Sequence, residues 1–264
     1  MLFRKYKQFS LKKYFCTILL FTLFSSAFAN DISLIEDFDT KNYGCIYKNF
    51  LRQRNLEIVR DNRDHFFSGK VSYSGSDKGS ERVIFRCPLA VPAMSYTLEF
   101  DVKFDENFEF IKGGKLHGLG PNQVMSGGKG TASDGWSARI IFLQDGGVGI
   151  YYYHQDQKGN FGTSIKANNF NFELNRYYRV RMELTLNSVA QSSDGSIELF
   201  IDDKRLIEKN GIRFRAVEGD EALITTFLFS TFHGGSTDAW APKNLDGTFK
   251  TVNAYFDNFY VMPK

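Results

Sequence analysis

An arginine inside an apolar run, followed across a glycine turn by three consecutive tyrosines, is where this sequence places most of its chemistry. The stretch from Asp134 to Gln155 reads DGWSARIIFLQDGGVGIYYYHQ. A buried guanidinium without a partner is costly, so Arg139 belongs either to a solvated sheet face or to a site that uses it. With the two-residue period of a strand, Ser137, Arg139 and Ile141 share one face, while Trp136, Ala138, Ile140 and Phe142 share the other. Tyr151 and Tyr153 also share a face, and Tyr152 points away.

The register of this hairpin decides whether the polar groups meet. If Asp145-Gly146-Gly147 is a three-residue loop, Gln144 pairs with Val148, Arg139 lies opposite Tyr153 and Ile141 opposite Tyr151. A two-residue loop shifts the pairing by one and moves Arg139 to the other face from Tyr151 and Tyr153. The first register assembles Ser137, Arg139, Tyr151 and Tyr153 over an apolar side of Trp136, Ile140 and Ile150, a suitable floor for a sugar-binding cleft. The same residues also suit an exposed face on which an arginine stacks on a tyrosine.

The elements that must position them are short, β-branched and aromatic, separated by Gly, Asp and Asn clusters. Strands are predicted over 82–87, 95–104, 135–143, 147–154, 177–186, 195–203, 223–232 and 252–261. Long helical periodicity is absent from residues 30–264, and DGSIELFIDDKRLI reads as a hairpin turning at Asp202-Asp203-Lys204. About eight strands at this spacing predict an all-β fold: a β-jelly roll or concanavalin-like sandwich of two antiparallel sheets. An alternative is a smaller sandwich with an irregular insertion from Phe104 to Ser133, a Gly-rich stretch expected to supply functional loops.

Charge and targeting are read together. Residues 1–29 hold Arg4, Lys5, Lys7, Lys12 and Lys13, an apolar run from Tyr14 to Phe24 and an Ala27-Phe28-Ala29 site, the pattern of a secretory signal peptide cut after Ala29. The chain of 264 residues carries 33 Lys/Arg and 30 Asp/Glu, and without a leader that holds five cations and no anion its formal charge moves from +3 to −2. A nucleic-acid partner thereby loses its electrostatic support. No later stretch approaches the roughly 20 apolar residues of a membrane helix. Residues 30–264 are expected to form one secreted domain, extracellular or periplasmic, monomeric, with no membrane partner after cleavage. Cys45 and Cys87 suit a disulfide in an oxidising compartment or a pair of buried thiols.

The ordered set GGKLHGLG (113–120), GTASDGWSARIIF (130–142), YYY (151–153), FSTFHGGSTDAWAP (229–242) and YFDNFYV (255–261) resembles the family 14 polysaccharide lyases, which include viral and molluscan alginate lyases. The resemblance spans roughly residues 95–262. It implies a β-jelly roll that cleaves acidic, uronate-containing polysaccharides such as alginate or glucuronan by β-elimination. Carried over by position, it implies an active-site lysine at Lys115, a serine and an arginine at Ser137 and Arg139, and two tyrosines at Tyr151 and Tyr153. His117 stands where a proline is expected and His233 where a phenylalanine is usual; with Trp240 and Ser137 they are expected on the substrate.

Elimination chemistry calls for these residue types. The proton removed lies α to a carboxylate and is barely acidic until strong donors hold that carboxylate and its developing enolate charge. Arg139 pairs bidentately with a carboxylate and stays protonated. A base must reach the carbon and an acid must protonate the departing oxygen. Tyr151 and Tyr153 are expected to share these roles, undivided, with flanking cations drawing their pKa values down; Lys115 is an electrostatic partner or an alternative base. No cofactor is called for, and His65, His117, His154, His233 and the carboxylates show no metal-ligand spacing.

Two rival readings use the same residues. A jelly-roll glycoside hydrolase would use Glu99 and Asp101, two carboxylates on one strand face, although Phe104 occupies the place of a third. A non-catalytic carbohydrate-binding module would use Trp240 and the tyrosines to grip an acidic glycan without cutting it.

Overall fold

The computed structural model describes residues 33–60, 66–128, 130, 132–133 and 135–264. The predicted signal peptide, its cleavage site and His65 lie outside the described residues. The chain begins with β1 (Leu34–Glu36), α1 (Cys45–Phe50), β2 (Leu56–Arg60), β3 (Phe67–Ser76), β4 (Gly79–Ser80), β5 (Val83–Ala93) and β6 (Ser95–Phe104). It continues with β7 (Gly113–Gly120), β8 (Ser137–Leu143), β9 (Val148–Tyr153) and β10 (Thr163–Lys166). It ends with β11 (Tyr177–Thr185), β12 (Gly195–Ile201), β13 (Lys204–Ile212), β14 (Ile224–His233) and β15 (Thr251–Pro263).

These strands form two antiparallel sheets, the jelly-roll sandwich that the pattern of short strands predicts. The nine-stranded sheet runs β13-β12-β11-β6-β15-β3-β2, with β1 on β15 and β4 on β3; the six-stranded sheet runs β10-β9-β8-β7-β14-β5. The layers meet because their strands alternate. In β6, Tyr96, Leu98, Phe100, Val102 and Phe104 are buried, and in β14 Phe227 and Phe229 come up to meet them. Phe100 and Phe259 stack at 5.7 Å, and Phe227 meets Phe259 at 5.9 Å, so aromatic rings bridge the sheets. Burying one such ring contributes about 1.5–3 kcal/mol. Among the described residues, no helix is long and apolar enough to cross a membrane.

Cys45 of α1 and Cys87 of β5 are joined in a disulfide, with Cα atoms 5.7 Å apart. The bond fastens an edge strand to the helix that lies beside it. At the β12–β13 hairpin Asp202 and Asp203 both adopt positive φ, 48° and 62°, as a tight two-residue turn requires.

The Gly-rich region from Phe104 to Ser133 departs from expectation. It is not one irregular insertion, because Gly113–Gly120 is a strand in the middle of the six-stranded sheet, between β14 and β8. Its glycines reflect crowding by backbone. A Cβ on Gly118 would lie 2.2 Å from the Ala138 carbonyl oxygen and 2.8 Å from Arg139 Cγ. A sequence that must pack this closely cannot show the β-branched signature of an ordinary strand.

Candidate active site

The β8–β9 hairpin closes through the Leu143 N–H, which donates to the Gly147 carbonyl at 2.7 Å. Gln144, Asp145 and Gly146 form the loop, with Asp145 at φ 58° and Gly146 at φ 83°. This is a three-residue loop, but it starts one position earlier than predicted. The register moves by two: Arg139 pairs with Tyr151 and Ser137 with Tyr153, instead of Arg139 with Tyr153 and Ile141 with Tyr151. Because the shift is even, the faces survive. Ser137, Arg139, Tyr151 and Tyr153 all leave the outer side of the sheet, while Trp136, Ile140, Ile150 and Tyr152 enter the core. Trp136 is fully buried, its indole N–H donating to the Ala222 carbonyl at 2.8 Å.

Lys115 joins them through β7, where it pairs with Ile141 and, on the other side, with Phe232. Its Nζ sits 3.5 Å from the centre of the Tyr151 ring. The phenols of Tyr151 and Tyr153 are 3.4 Å apart, their rings near perpendicular at 87°. Backbone donors hold both oxygens: the Gly162 N–H reaches Tyr151 at 2.9 Å and the Gly128 N–H reaches Tyr153 at 3.2 Å. Ser137 Oγ donates to the Met125 carbonyl at 2.8 Å and accepts from Arg139 Nη1 at 2.9 Å. Ser137 therefore fixes the guanidinium, and the loop through Met125 and Gly128 roofs the pair. This loop belongs to the Gly-rich region.

Burial sets the protonation states. Lys115 is pushed down to about 7, first by burial and then by the positive charge of Arg139. Tyr151 is pushed up to about 12 by burial, reinforced by its hydrogen bond to Tyr153. The expectation that neighbouring cations would lower its pKa fails, because desolvation of a phenolate outweighs their attraction. Arg139 falls to about 10 through burial, opposed by Tyr153 and reinforced by the cation of Arg86. It remains charged at neutral pH, and the site then holds a fixed cation, an amine poised to lose its proton and a phenol that keeps its own.

Two other expected residues are turned away from this recess. Strict alternation from Lys115 would put His117 beside it, but β7 bulges against β8 between Lys115 and Gly118 and turns both Leu116 and His117 inward. His117 is fully buried among Phe100, Phe229, Phe256 and Phe259, and its pKa lies well below the ordinary imidazole value because burial disfavours the cation. His233 also faces inward, stacked on Phe108 at 5.3 Å, with Nε2 2.6 Å from the Glu109 carbonyl oxygen. Trp240 lies beyond the end of β14, packed on Gly235. His154 bonds Thr163 at 3.0 Å on the strand that borders the sheet.

Sequence reasoning passed over Arg86. It is exposed on β5, on the same outer face, and its only signal was alternation with buried Phe85 and Cys87. The hydrolase pair is elsewhere: Glu99 and Asp101 lie on the outer face of the nine-stranded sheet, 3.5 and 3.4 Å from Arg179.

The sequence model described as Polysaccharide lyase 14 matches residues 65–259. The fold is similar to that of an alginate lyase of the same class from Aplysia kurodai, at 20% identity and a TM-score of 0.69 over 88% of this chain and 99% of the other. It is also similar to an alginate lyase from a Chlorella virus, at 20% identity and a TM-score of 0.64 over 79% of this chain and 90% of that one. An endo-β-1,4-glucuronan lyase from the fungus Trichoderma reesei gives 13% identity and a TM-score of 0.59 over 88% and 96%. No curated protein matches by sequence.

Proposed function

The chain belongs to polysaccharide lyase family 14 and is a polysaccharide lyase, and we propose that it splits a polyuronate such as alginate or glucuronan with Lys115 as base and Tyr151 as acid. Arg139 grips the uronate carboxylate and stabilises the charge that spreads into it. Neutral Lys115 takes the α proton, the carbon–oxygen bond at the β position breaks, a carbon–carbon double bond forms, and Tyr151 protonates the departing oxygen. Tyr153, held by the Gly128 N–H, accepts from Tyr151 and orients it.

The observation that carries this reading is the placing of Lys115 Nζ 3.5 Å over the Tyr151 ring, beside a guanidinium that faces no described carboxylate. An amine pushed down to about 7 is half neutral near physiological pH, the condition for a general base. Secretion is proposed with it, supported by the Cys45–Cys87 disulfide, which suits an oxidising compartment.

The test is ultraviolet absorbance of the conjugated, unsaturated uronate end, followed across mannuronate-rich alginate, guluronate-rich alginate, glucuronan and glycosaminoglycans. At least one polymer yields the chromophore, and Lys115→Ala slows its appearance by about a hundredfold or more. Absence of the chromophore with every polyuronate overturns the substrate class.

A further inference from the structure

The groups placed around the scissile bond occupy β7, β8 and β9, yet the sheet continues through β14 to β5. Following one transverse row by its paired residues gives Tyr151, Arg139, Gly118, Leu228 and Arg86. Directly paired residues of an antiparallel sheet leave the same face. Arg86 thus stands on the outer face with Arg139, three strand spacings of about 4.8 Å away along the backbone. The positions between them are Gly118, without a side chain, and the apolar Leu228, so neither supplies a counter-charge.

Arg86 is exposed, and none of the ion pairs among the described residues involves it. The residue after it, Cys87, is fully buried and bonded to Cys45, so the edge strand is anchored next to this guanidinium. Its charge is near enough to disfavour the Arg139 cation. Two guanidiniums on one face repel weakly where water and salt screen them, and each gains from meeting an anion. A neutral glycan relieves neither, and a chain with a carboxylate on every sugar relieves both.

We propose that Arg86 binds the carboxylate of a second uronate in the same chain, on the β14–β5 side of the sugar held by Arg139, so that the polymer crosses the strands instead of running along them. The inference rests on the polyuronate reading of the site. It makes Arg86 a binding residue, outside the reach of the reacting atoms.

The test compares affinity and turnover. In the Lys115→Ala background, polyuronate is titrated by calorimetry with Arg86 intact or changed to Ala. Arg86→Ala weakens binding by about tenfold at low ionic strength, and the loss shrinks as salt rises because an exposed charge is screened. In the active enzyme the same change raises KM by a similar factor and leaves kcat within about twofold, as expected for uniform binding. Arg86→Lys keeps most of the affinity, and Arg205→Ala, on the opposite sheet, leaves it unchanged. Unaltered Kd and KM in Arg86→Ala, while the wild type still forms the unsaturated product, overturn this inference alone. A fall in kcat at constant KM also overturns it, because Arg86 would then act through Arg139. If the wild type neither binds nor cleaves any polyuronate, the reading of the site fails and this inference falls with it.

Discussion

On the outer face of the nine-stranded sheet, Arg179 lies 3.5 Å from Glu99 and 3.4 Å from Asp101, Arg181 reaches Glu99, Glu183 and Asp203, and Arg205 pairs with Glu198 at 2.8 Å. On the outer face of the six-stranded sheet stand Arg86, Lys115, Arg139 and Lys166, and the six strands that form it contain no Asp or Glu. One face neutralises its own charges. The other holds Arg139 by the Met125 carbonyl and Ser137, and Lys115 over the Tyr151 ring, with no carboxylate in its own strands. Paired surface charges contribute little to stability, whereas a buried cation without an anion costs stability and is retained for what it binds.

The sharpest way to break this contrast is to remove one charge from each face. Lys115→Ala is expected to lower kcat by about a hundredfold to ten-thousandfold, the range for a general base, with the melting temperature maintained. Arg181→Ala is expected to leave kcat within about twofold and to cost about 1 kcal/mol of stability at most. Initial rates and thermal melts of both variants decide it, and comparable rate losses in the two would erase the distinction.

Within the six-stranded sheet, adjacent residues of β9 sharpen the comparison between its faces. Tyr152 is buried in the core against Phe214, whose ring centre is 6.3 Å away. Tyr152→Ala should cost about 3 kcal/mol in urea denaturation and spare the turnover of the molecules that remain folded. Tyr151→Phe should do the reverse. A Tyr152→Ala protein as stable as the wild type would mean that the two faces of β9 are not divided in this way.

The two sheets also differ in the sign of a pH dependence. Lys115 has a folded value of about 7 and an ordinary one near 10.5, so between these pH values the unfolded chain holds a proton that the folded chain has lost. Its contribution to stability therefore rises with pH across that window and is at its lowest below pH 7. Asp257, on β15 of the other sheet, is pushed up from 3.8 to about 7 by burial. There the folded chain holds the extra proton, and stability falls as pH rises from 3.8 to 7. Lys115→Met should flatten the first slope and Asp257→Asn the second in denaturation series across pH. In the wild type, kcat/KM should climb about tenfold per pH unit below pH 7 and level off above it, as the amine becomes neutral; a flat profile there would remove Lys115 as the base.

Much of this architecture was legible from local pattern. The strand over 95–104 forms with the predicted bounds, the one at 177–186 ends one residue early, and the faces of Ser137, Arg139, Tyr151 and Tyr153 follow from a period of two. Those features depend on residues adjacent in the chain. The Gly113–Gly120 strand was not legible by pattern, since its glycines answer to the backbone of Ala138 and Phe232, which the fold brings to it from far along the sequence.

The sequence by itself determined the sandwich, the alternation that separates a polar face from a core, and the residue types that line the outer recess. Only the tertiary structure decided which of them meet. A single extra residue in β7 turns His117 from the face of Lys115 into the aromatic core, because a bulge reverses alternation at a point no local pattern marks. Strand order brings Arg86 into the row of Arg139 through two intervening strands, one of them more than a hundred residues away in sequence. Protonation was decided there too: the pKa of Lys115 and of Tyr151 depends on how much water the packed sheet and its covering loops exclude, and that exclusion exists only when the distant parts of the chain have come together.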